Sequence, residues 1–366
     1  MKHCRTYADN YNYFAGTLLR EAAGSADKQN VVVSPLSVIT ALCLTARAAG
    51  GRTREEILSC ISGGQDLDDT IGAIREITAK AERTGELKNA NAVGVAEKIG
   101  DKINEDFIRS LKEDFSGELF ASADLTCDVN SWVNEHTNGM IDKLLDGPAG
   151  NLSTCIMNAV AFDAEWEKQY GDGDISEDEF TNADGSVTEV EMLRSREEVY
   201  IENDSCTGFI KPYKGCDYSF MALLPKHKTG SFMTHDLQTL NFANLFKSCA
   251  ITPVIVSIPE FKFTYGGDIS DICRSLGIEQ AFTTAADFSP MTSEWVMVDS
   301  IIHKAHIELD RKGTKAAAAT AVMVAVATAP GVRYEIKTVC LDRPFVFAIM
   351  NNETRLPIFT GVVNHL

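Results

Sequence analysis

Thr314-Lys-Ala-Ala-Ala-Ala-Thr320-Ala-Val-Met-Val-Ala-Val-Ala-Thr-Ala329 is the stretch on which the reading of the fold turns. Its alanines favour a helix, since alanine has the highest helix propensity. Its β-branched residues do not: Thr314, Thr320, Val322, Val324, Val326 and Thr328 all stand at even positions. That is period two, the mark of a strand with one buried face. The odd face carries Lys315, alanines and Met323, and neither face holds an aromatic ring or a carboxylate. Alanine and threonine are small enough to join an existing sheet without steric conflict. Pro330-Gly331 then supplies a loop signal. Loop, helix and central strand are all open to this segment.

Upstream, Trp295 to Leu309 gives the longest strand signal, with apolar odd positions at Met297, Ile301, Ala305, Ile307 and Leu309. Asp310-Arg311-Lys312-Gly313 reads as a turn, so a hairpin is one way to satisfy both patterns. His303 and His306 look like a metal pair, but three residues apart on a strand they face opposite ways. His303 falls on the apolar face and is expected to be buried and hydrogen-bonded.

The first third reads as helical, over Tyr7–Ala22, Ser37–Ala49 and a helix opened by a capping box at Thr53-Arg-Glu-Glu56. Asn130 to Leu145 reads as a further amphipathic helix, offering Trp132, Val133, Ile141, Leu144 and Leu145 to a core. Strand patterns take over from about residue 187, over Ser219–Leu224 and Pro253–Phe263, where Val254, Val256 and Ile258 alternate. Helices first and strands later predict α+β rather than a doubly wound sheet.

The 366 residues carry a net charge of −18, which argues against nucleic acid, an anionic membrane surface or a sulfated polysaccharide as partner. No window approaches the roughly 18 uninterrupted apolar residues of a membrane helix. Met1 to Tyr7 lacks the apolar stretch of a secretory signal, so a cytoplasmic chain, or one secreted without a classical signal, is expected. Ten scattered cysteines include no C-x-x-C pair, and most are expected to be reduced. No phosphate loop, H-E-x-x-H helix or G-x-S-x-G elbow is present. Asp172-Gly-Asp174-Ile-Ser-Glu177 starts like a calcium loop but lacks the required glycine and final glutamate, so it reads as solvated loop. No metal, cofactor or catalytic group is expected, and an enzyme reading has no support.

A set of ordered motifs gives the chain a family likeness. Asn30-Val-Val-Val-Ser34-Pro35-Leu-Ser37, Asn130-Ser-Trp132-Val133 with Thr137-Asn-Gly139-Met-Ile141, and Asn158-Ala-Val-Ala-Phe162 followed by Trp166 come first. Ile258-Pro259-Glu260-Phe261, Ala286-Asp287-Phe288-Ser289 and Ile301-Ile302-His303-Lys304-Ala305 follow, then Arg343-Pro344-Phe345-Val346-Phe347 and Pro357-Ile358-Phe359-Thr360-Gly361. In this order the set resembles the serpins, from about Tyr7 to Asn364.

The resemblance implies a single domain over 1–366 with three β-sheets, eight or nine helices and an exposed reactive-centre loop at about 313–338. It implies a monomeric inhibitor that acts as a suicide substrate. A serine protease cleaves the loop, forms an acyl-enzyme, and is dragged and distorted as the loop inserts into the large sheet, driven by the metastability of the native state. Gly313, Thr314, Ala316, Ala317, Ala318, Ala319 and Thr320 match the hinge. Counting from Gly313 puts the reactive bond at Ala327-Thr328, pointing to an elastase-like, chymotrypsin-like or cathepsin G-like protease. Counting back from Pro344 favours Arg333-Tyr334 and a trypsin-like one.

Ser34, Ser37, Asn158 and His303 match a buried polar network, the shutter, and Trp166 the breach above it. Two departures stand out. Arg311 occupies a usually acidic position and Glu260 an often basic one, so the two are expected to pair. Lys315 stands where glutamate is common. A non-inhibitory member (carrier, chaperone or storage protein) is the alternative, and the clean Ala316–Thr320 stretch speaks against it.

Overall fold

The computed structural model describes residues 7–122, 125–145, 154–227, 237, 240–314 and 336–366, apart from the side chains of 79–84 and 250. The chain opens with α1 (Tyr7–Ser25), β1 (Val31–Val33), α2 (Pro35–Ala48), α3 (Gly51–Ser62), α4 (Leu67–Thr84), β2 (Leu87–Ala96), α5 (Glu97–Gly100) and α6 (Glu105–Phe115). It continues with β3 (Glu118–Ser122), α7 (Leu125–His136), β4 (Thr154–Phe162), β5 (Ala164–Glu165), β6 (Ile175–Thr181), β7 (Val187–Glu202), β8 (Cys206–Pro212) and β9 (Tyr218–Pro225). Next come α8 (Phe242–Ser248), β10 (Ala250–Pro259), β11 (Phe261–Asp268), α9 (Ser270–Ser275) and β12 (Ser300–Leu309). The last are β13 (Gly313–Thr314), β14 (Lys337–Cys340), β15 (Phe345–Asn351) and β16 (Pro357–Val363). This is α+β, with nine α-helices among the described residues.

By contacts the chain divides into two compact units. The first holds the residues up to Ala22, Val32–Phe162 and Thr264–His306. Here β2 pairs antiparallel with β4 and parallel with β3. β12 pairs in parallel with β4 from Ser300↔Cys155 to His306↔Ala161. α7 and the segment after it cover this sheet, where Leu125, Val129, Trp132, Val133, Ile141, Leu144 and Leu145 pack on Ala90, Met157 and Ile302.

The second unit holds Ala23–Val31, Asp163–Phe263 and Ile307–Leu366. Its long strand β7 has partners along both edges. Val187–Leu193 pairs with β6 and Met192–Tyr200 with β10, whose other edge takes β14. The last four residues pair on the other edge with β8, leading on to β9, β15 and β16, while Val199 and Tyr200 keep their pairing to β10. Among the described residues hydrogen bonding therefore joins the strands into two sheets rather than the expected three, because β7 is continuous with both the β8–β16 strands and the β10–β14 strands. The core here is aromatic: Trp166 meets Phe220, which stacks on Phe347, which in turn meets Phe261.

Several expected boundaries move. The capping box at Thr53 and Glu56 is not one, because α3 starts earlier, at Gly51. Thr53 Oγ1 instead accepts the Asp287 amide (3.0 Å), and Glu56 accepts those of Glu279 and Gln280. α7 ends at His136, short of Leu145, because Asn138 (φ 52°) and Gly139 (φ 74°) turn left-handed. Asn130 ties the chain back, its Oδ1 accepting from Leu144 N (2.8 Å) and Leu145 N (2.9 Å), so the predicted core residues stay buried. The Pro253–Phe263 strand is two, β10 and β11, parted at Glu260. β12 begins at Ser300 rather than Trp295, and strands appear well before residue 187.

Candidate functional site

Ser34 is the N-cap of α2, with extended backbone (φ −107°) and Pro35 following at the first helical position. Its Oγ accepts the Ser37 amide at 3.2 Å. The Ser34 amide in turn donates to His303 Nε2 at 3.2 Å. A backbone N–H can only donate, so Nε2 is the bare nitrogen and Nδ1 carries the proton, directed at Ser37 Oγ 3.4 Å away. The ring is buried, and burial pushes its pKa down from 6.5 to about 3.

A neutral buried histidine has a stability signature. The unfolded chain binds a proton below about pH 6.5 that the folded chain refuses until about pH 3. The stabilisation is therefore complete above pH 6.5 and erodes as pH falls toward 3, by up to about 1.4 kcal/mol per pH unit. His303→Gln is expected to lose this slope. Urea unfolding of both forms between pH 6.5 and 4.5 checks it, and parallel pH dependences would refute it.

Asn158 is the register partner of His303 across β4 and β12. Its amide nitrogen does not reach the serines; it donates to Asn91 Oδ1 (2.7 Å) and Asn89 Oδ1 (3.1 Å) on β2. Asn158 Oδ1 is buried and accepts nothing from the described residues. Ser34, Ser37 and His303 are thus joined directly, with Asn158 beside them in a second, asparagine cluster.

In the second unit, Asp310 to Gly313 forms the expected turn. Asp310 Oδ1 accepts from Lys312 N (2.7 Å) and Gly313 N (3.0 Å). The turn is gripped from the segment after β5. Trp166 Nε1 donates to Asp310 O and Trp166 N to Lys312 O, both at 2.9 Å, and Tyr170 N donates to Arg311 O at 3.0 Å. Beyond the turn, Leu309 of β12 pairs with Thr314, and Thr314 and Gly313 pair antiparallel with Ala164 and Glu165 of β5. A Cβ at Gly313 would come within 2.1 Å of Ala164 O, so only glycine fits there. Thr314 is fully buried, its Oγ1 2.7 Å from Tyr213 Oη, and Tyr213 stacks on Trp166 at 4.6 Å.

Arg311 N donates to Glu260 Oε1 at 3.0 Å, and Arg311 Nε lies 3.6 Å from the same oxygen. The guanidinium also meets Glu191 (3.4 Å) and Asp172 (3.8 Å). Desolvation raises the Glu260 pKa against the pull of Arg311. Both side chains reach solvent, so the contact fixes geometry more than it adds stability.

Ala316–Ala319, Thr320, Lys315, Ala327, Thr328, Arg333 and Tyr334 lie outside the described residues. The described cysteines are free, and no described group of three or more His, Cys, Asp or Glu side chains could hold a metal. No helix among the described residues is long and apolar enough to cross a membrane.

Residues 9–366 match the family model described as Serpin (serine protease inhibitor). The chain belongs to the serpin family. It is 32% identical to Iripin-2 of Ixodes ricinus over 97% of this chain and 92% of that one. It is 31% identical to a protein of Cyanea capillata named Serine protease inhibitor, over 92% of each. Among solved structures, the thermophilic serpin tengpin in its native state is 34% identical, with a TM-score of 0.86 over 98% of this chain and 94% of that one. Serpins are protease inhibitors rather than catalytic enzymes.

Three features of this serpin were missed in the sequence. Asn89 and Asn91, two apart on apolar β2, carried a period-two signal that could have been read. Tyr213 and Tyr170 gave none. Lys211, a lone cation among β-formers, is buried against Glu197 at 2.9 Å, with its Nζ 4.5 Å above the Tyr170 ring.

Proposed function

We propose that this serpin is inhibitory: a single-domain suicide substrate whose loop, cleaved at Ala327-Thr328 by an elastase-like or chymotrypsin-like serine protease, inserts as a new strand and traps the acyl-enzyme. The observation that carries the reading is β13. Gly313 and Thr314 already run antiparallel to the end of β12 and to β5, while β12 and β4 pair directly with each other. Continuing the Leu309↔Thr314 register would set Ala316 opposite Ile307, Ala318 opposite Ala305, Thr320 opposite His303 and Val322 opposite Ile301. Those four β12 residues are all buried. The even positions from Thr314 to Val326, all small or β-branched, suit that face.

The same register would set Lys315 opposite Glu308, which now pairs with Lys262 at 3.0 Å. The unusual hinge lysine then meets an opposite charge, so it does not count against insertion.

Cleavage of the loop is expected to raise heat stability sharply, because it frees the strand to insert. Scanning calorimetry before and after nicking tests this, and an unchanged melting temperature would favour a non-inhibitory serpin. Ala327→Arg is expected to move inhibition from elastase-like to trypsin-like proteases. Undiminished elastase inhibition with no gain against trypsin would remove the assigned bond, and unaltered trypsin inhibition in both forms would favour Arg333-Tyr334.

A further inference from the structure

β8 pairs with β7 only as far as Val199↔Ile210 and runs two residues past that pair, to Lys211 and Pro212. Beside the parting strands lies a cavity of about 310 Å³, closed by Phe246 of α8 and by Asn352 in the turn between β15 and β16. That is the size of a small ligand pocket. Its charged lining residues are three acids and three bases, so the cavity carries both signs and no excess of either. Two of the six, Lys211 and Glu197, are buried and satisfy each other at 2.9 Å. Arg196 and Glu198 are exposed, and neither side chain has a hydrogen bond or ion pair among the described residues. Asn352 donates through Nδ2 to Cys216 O at 2.8 Å, yet its Oδ1 is buried and accepts nothing from the described residues. Ile210 and Phe246 supply apolar wall.

We infer that this cavity binds a zwitterionic dipeptide with apolar side chains. Arg196 and Glu198 flank the inward-turned Glu197, so they share a face of β7. At about 3.3 Å per residue they stand roughly 6.5 Å apart along the strand. The ammonium and carboxylate of an extended dipeptide are about 6 Å apart, one Cα–Cα step of about 3.8 Å with a bond at either end. In a free amino acid the two are only about 2.5 Å apart, which does not match that spacing. The ligand carboxylate accepts from Arg196, its ammonium donates to Glu198, and its single peptide N–H donates to Asn352 Oδ1. Its side chains lie along Ile210 and Phe246. Every group the fold leaves unpaired here gains a partner, and two of the three bonds are charge-assisted. The site stands apart from the reactive loop and does not depend on the inhibitory reading.

The test is isothermal titration calorimetry with the dipeptide leucyl-phenylalanine. Binding of one dipeptide per protein is expected. Capping either end, as an N-acetyl group or a C-terminal amide, should weaken it roughly tenfold, and so should Arg196→Gln or Glu198→Gln. The pairing of variant with cap is the decisive readout. Arg196→Gln should bind free and amidated peptide alike and still discriminate against the acetylated one, while Glu198→Gln should do the reverse. Both side chains are exposed, so both variants should melt at the parent temperature. No heat of binding at millimolar dipeptide, with the melting temperature unmoved, would overturn the site. Equal affinity for the free and the doubly capped dipeptide would overturn it as well, because the cavity would then take apolar bodies without reading their charges. So would free phenylalanine binding as tightly as the dipeptide, because the spacing of the charges would then count for nothing.

Discussion

Thr314→Arg is expected to turn the proposed inhibitor into a substrate: the protease should still cut the loop, but no stable complex should accumulate. Thr314 is the last described residue before the loop, fully buried and bonded to Tyr213. Its pairing with Leu309 sets the register for every residue that would follow. Arginine at this position forces a long cation into a space that holds a threonine hydroxyl. An uncompensated buried charge costs about 3–5 kcal/mol, which shifts the partition between trapping and release by at least about a hundredfold. Ala318→Glu applies the same penalty further along the strand, without touching the contact to Tyr213. Stoichiometry of inhibition, read by titration against active-site-calibrated protease, checks both. Parent stoichiometry in the two variants would refute insertion along β12.

Lys211→Ala is expected to destabilise the protein by about 3–5 kcal/mol, the largest effect anticipated for a single side chain outside the hinge. Lys211 Nζ is buried, pairs with Glu197, donates to Lys168 O at 3.3 Å and lies over Tyr170 and Trp166. Glu197 is held in turn by Ser195 Oγ at 2.6 Å. Removing the cation leaves that carboxylate buried without its partner. Lys211→Met combined with Glu197→Leu removes both charges at similar volume, and should recover most of the loss. Urea unfolding of the three variants decides. A Lys211→Ala midpoint equal to that of the parent would show that the pair does not hold this region. Because Trp166 and Tyr170 also grip the turn at 310–312, the single variant should in addition lose inhibitory activity faster on warming.

Much of the fold could be read from local pattern, and the misreadings have identifiable causes. Period two in β10 and β12 was visible because one face of each is solidly buried. The end of α7 was not, because Trp132, Val133, Ile141, Leu144 and Leu145 keep a helix-like spacing even though the chain leaves the helix at Asn138. Burial alone does not report the backbone path between two buried residues. The Thr53–Glu56 capping box failed for a related reason. The residue types suit a cap, but loop amides near Asp287 and Gln280, more than 200 residues away, compete for the same oxygens.

At the site, Arg311 and Glu260 could be paired because both depart in charge from the family pattern, and their side chains stand in contact. The roles of Tyr213 and Asn91 depend on which strands become neighbours, and nothing local to those residues encodes that. Nor did the sequence distinguish Asn158 bonded to the serines from Asn158 bonded to Asn89 and Asn91, since all are small polar residues in apolar strands.

The most direct test of protease trapping is incubation with elastase, cathepsin G and trypsin, followed by denaturing electrophoresis and mass analysis of the released fragment. The account predicts a complex that survives denaturation, near the summed masses of the two proteins, and a fragment beginning at Thr328. Cleavage by all three proteases with no such complex, and no gain in heat stability of the cleaved product, would contradict it.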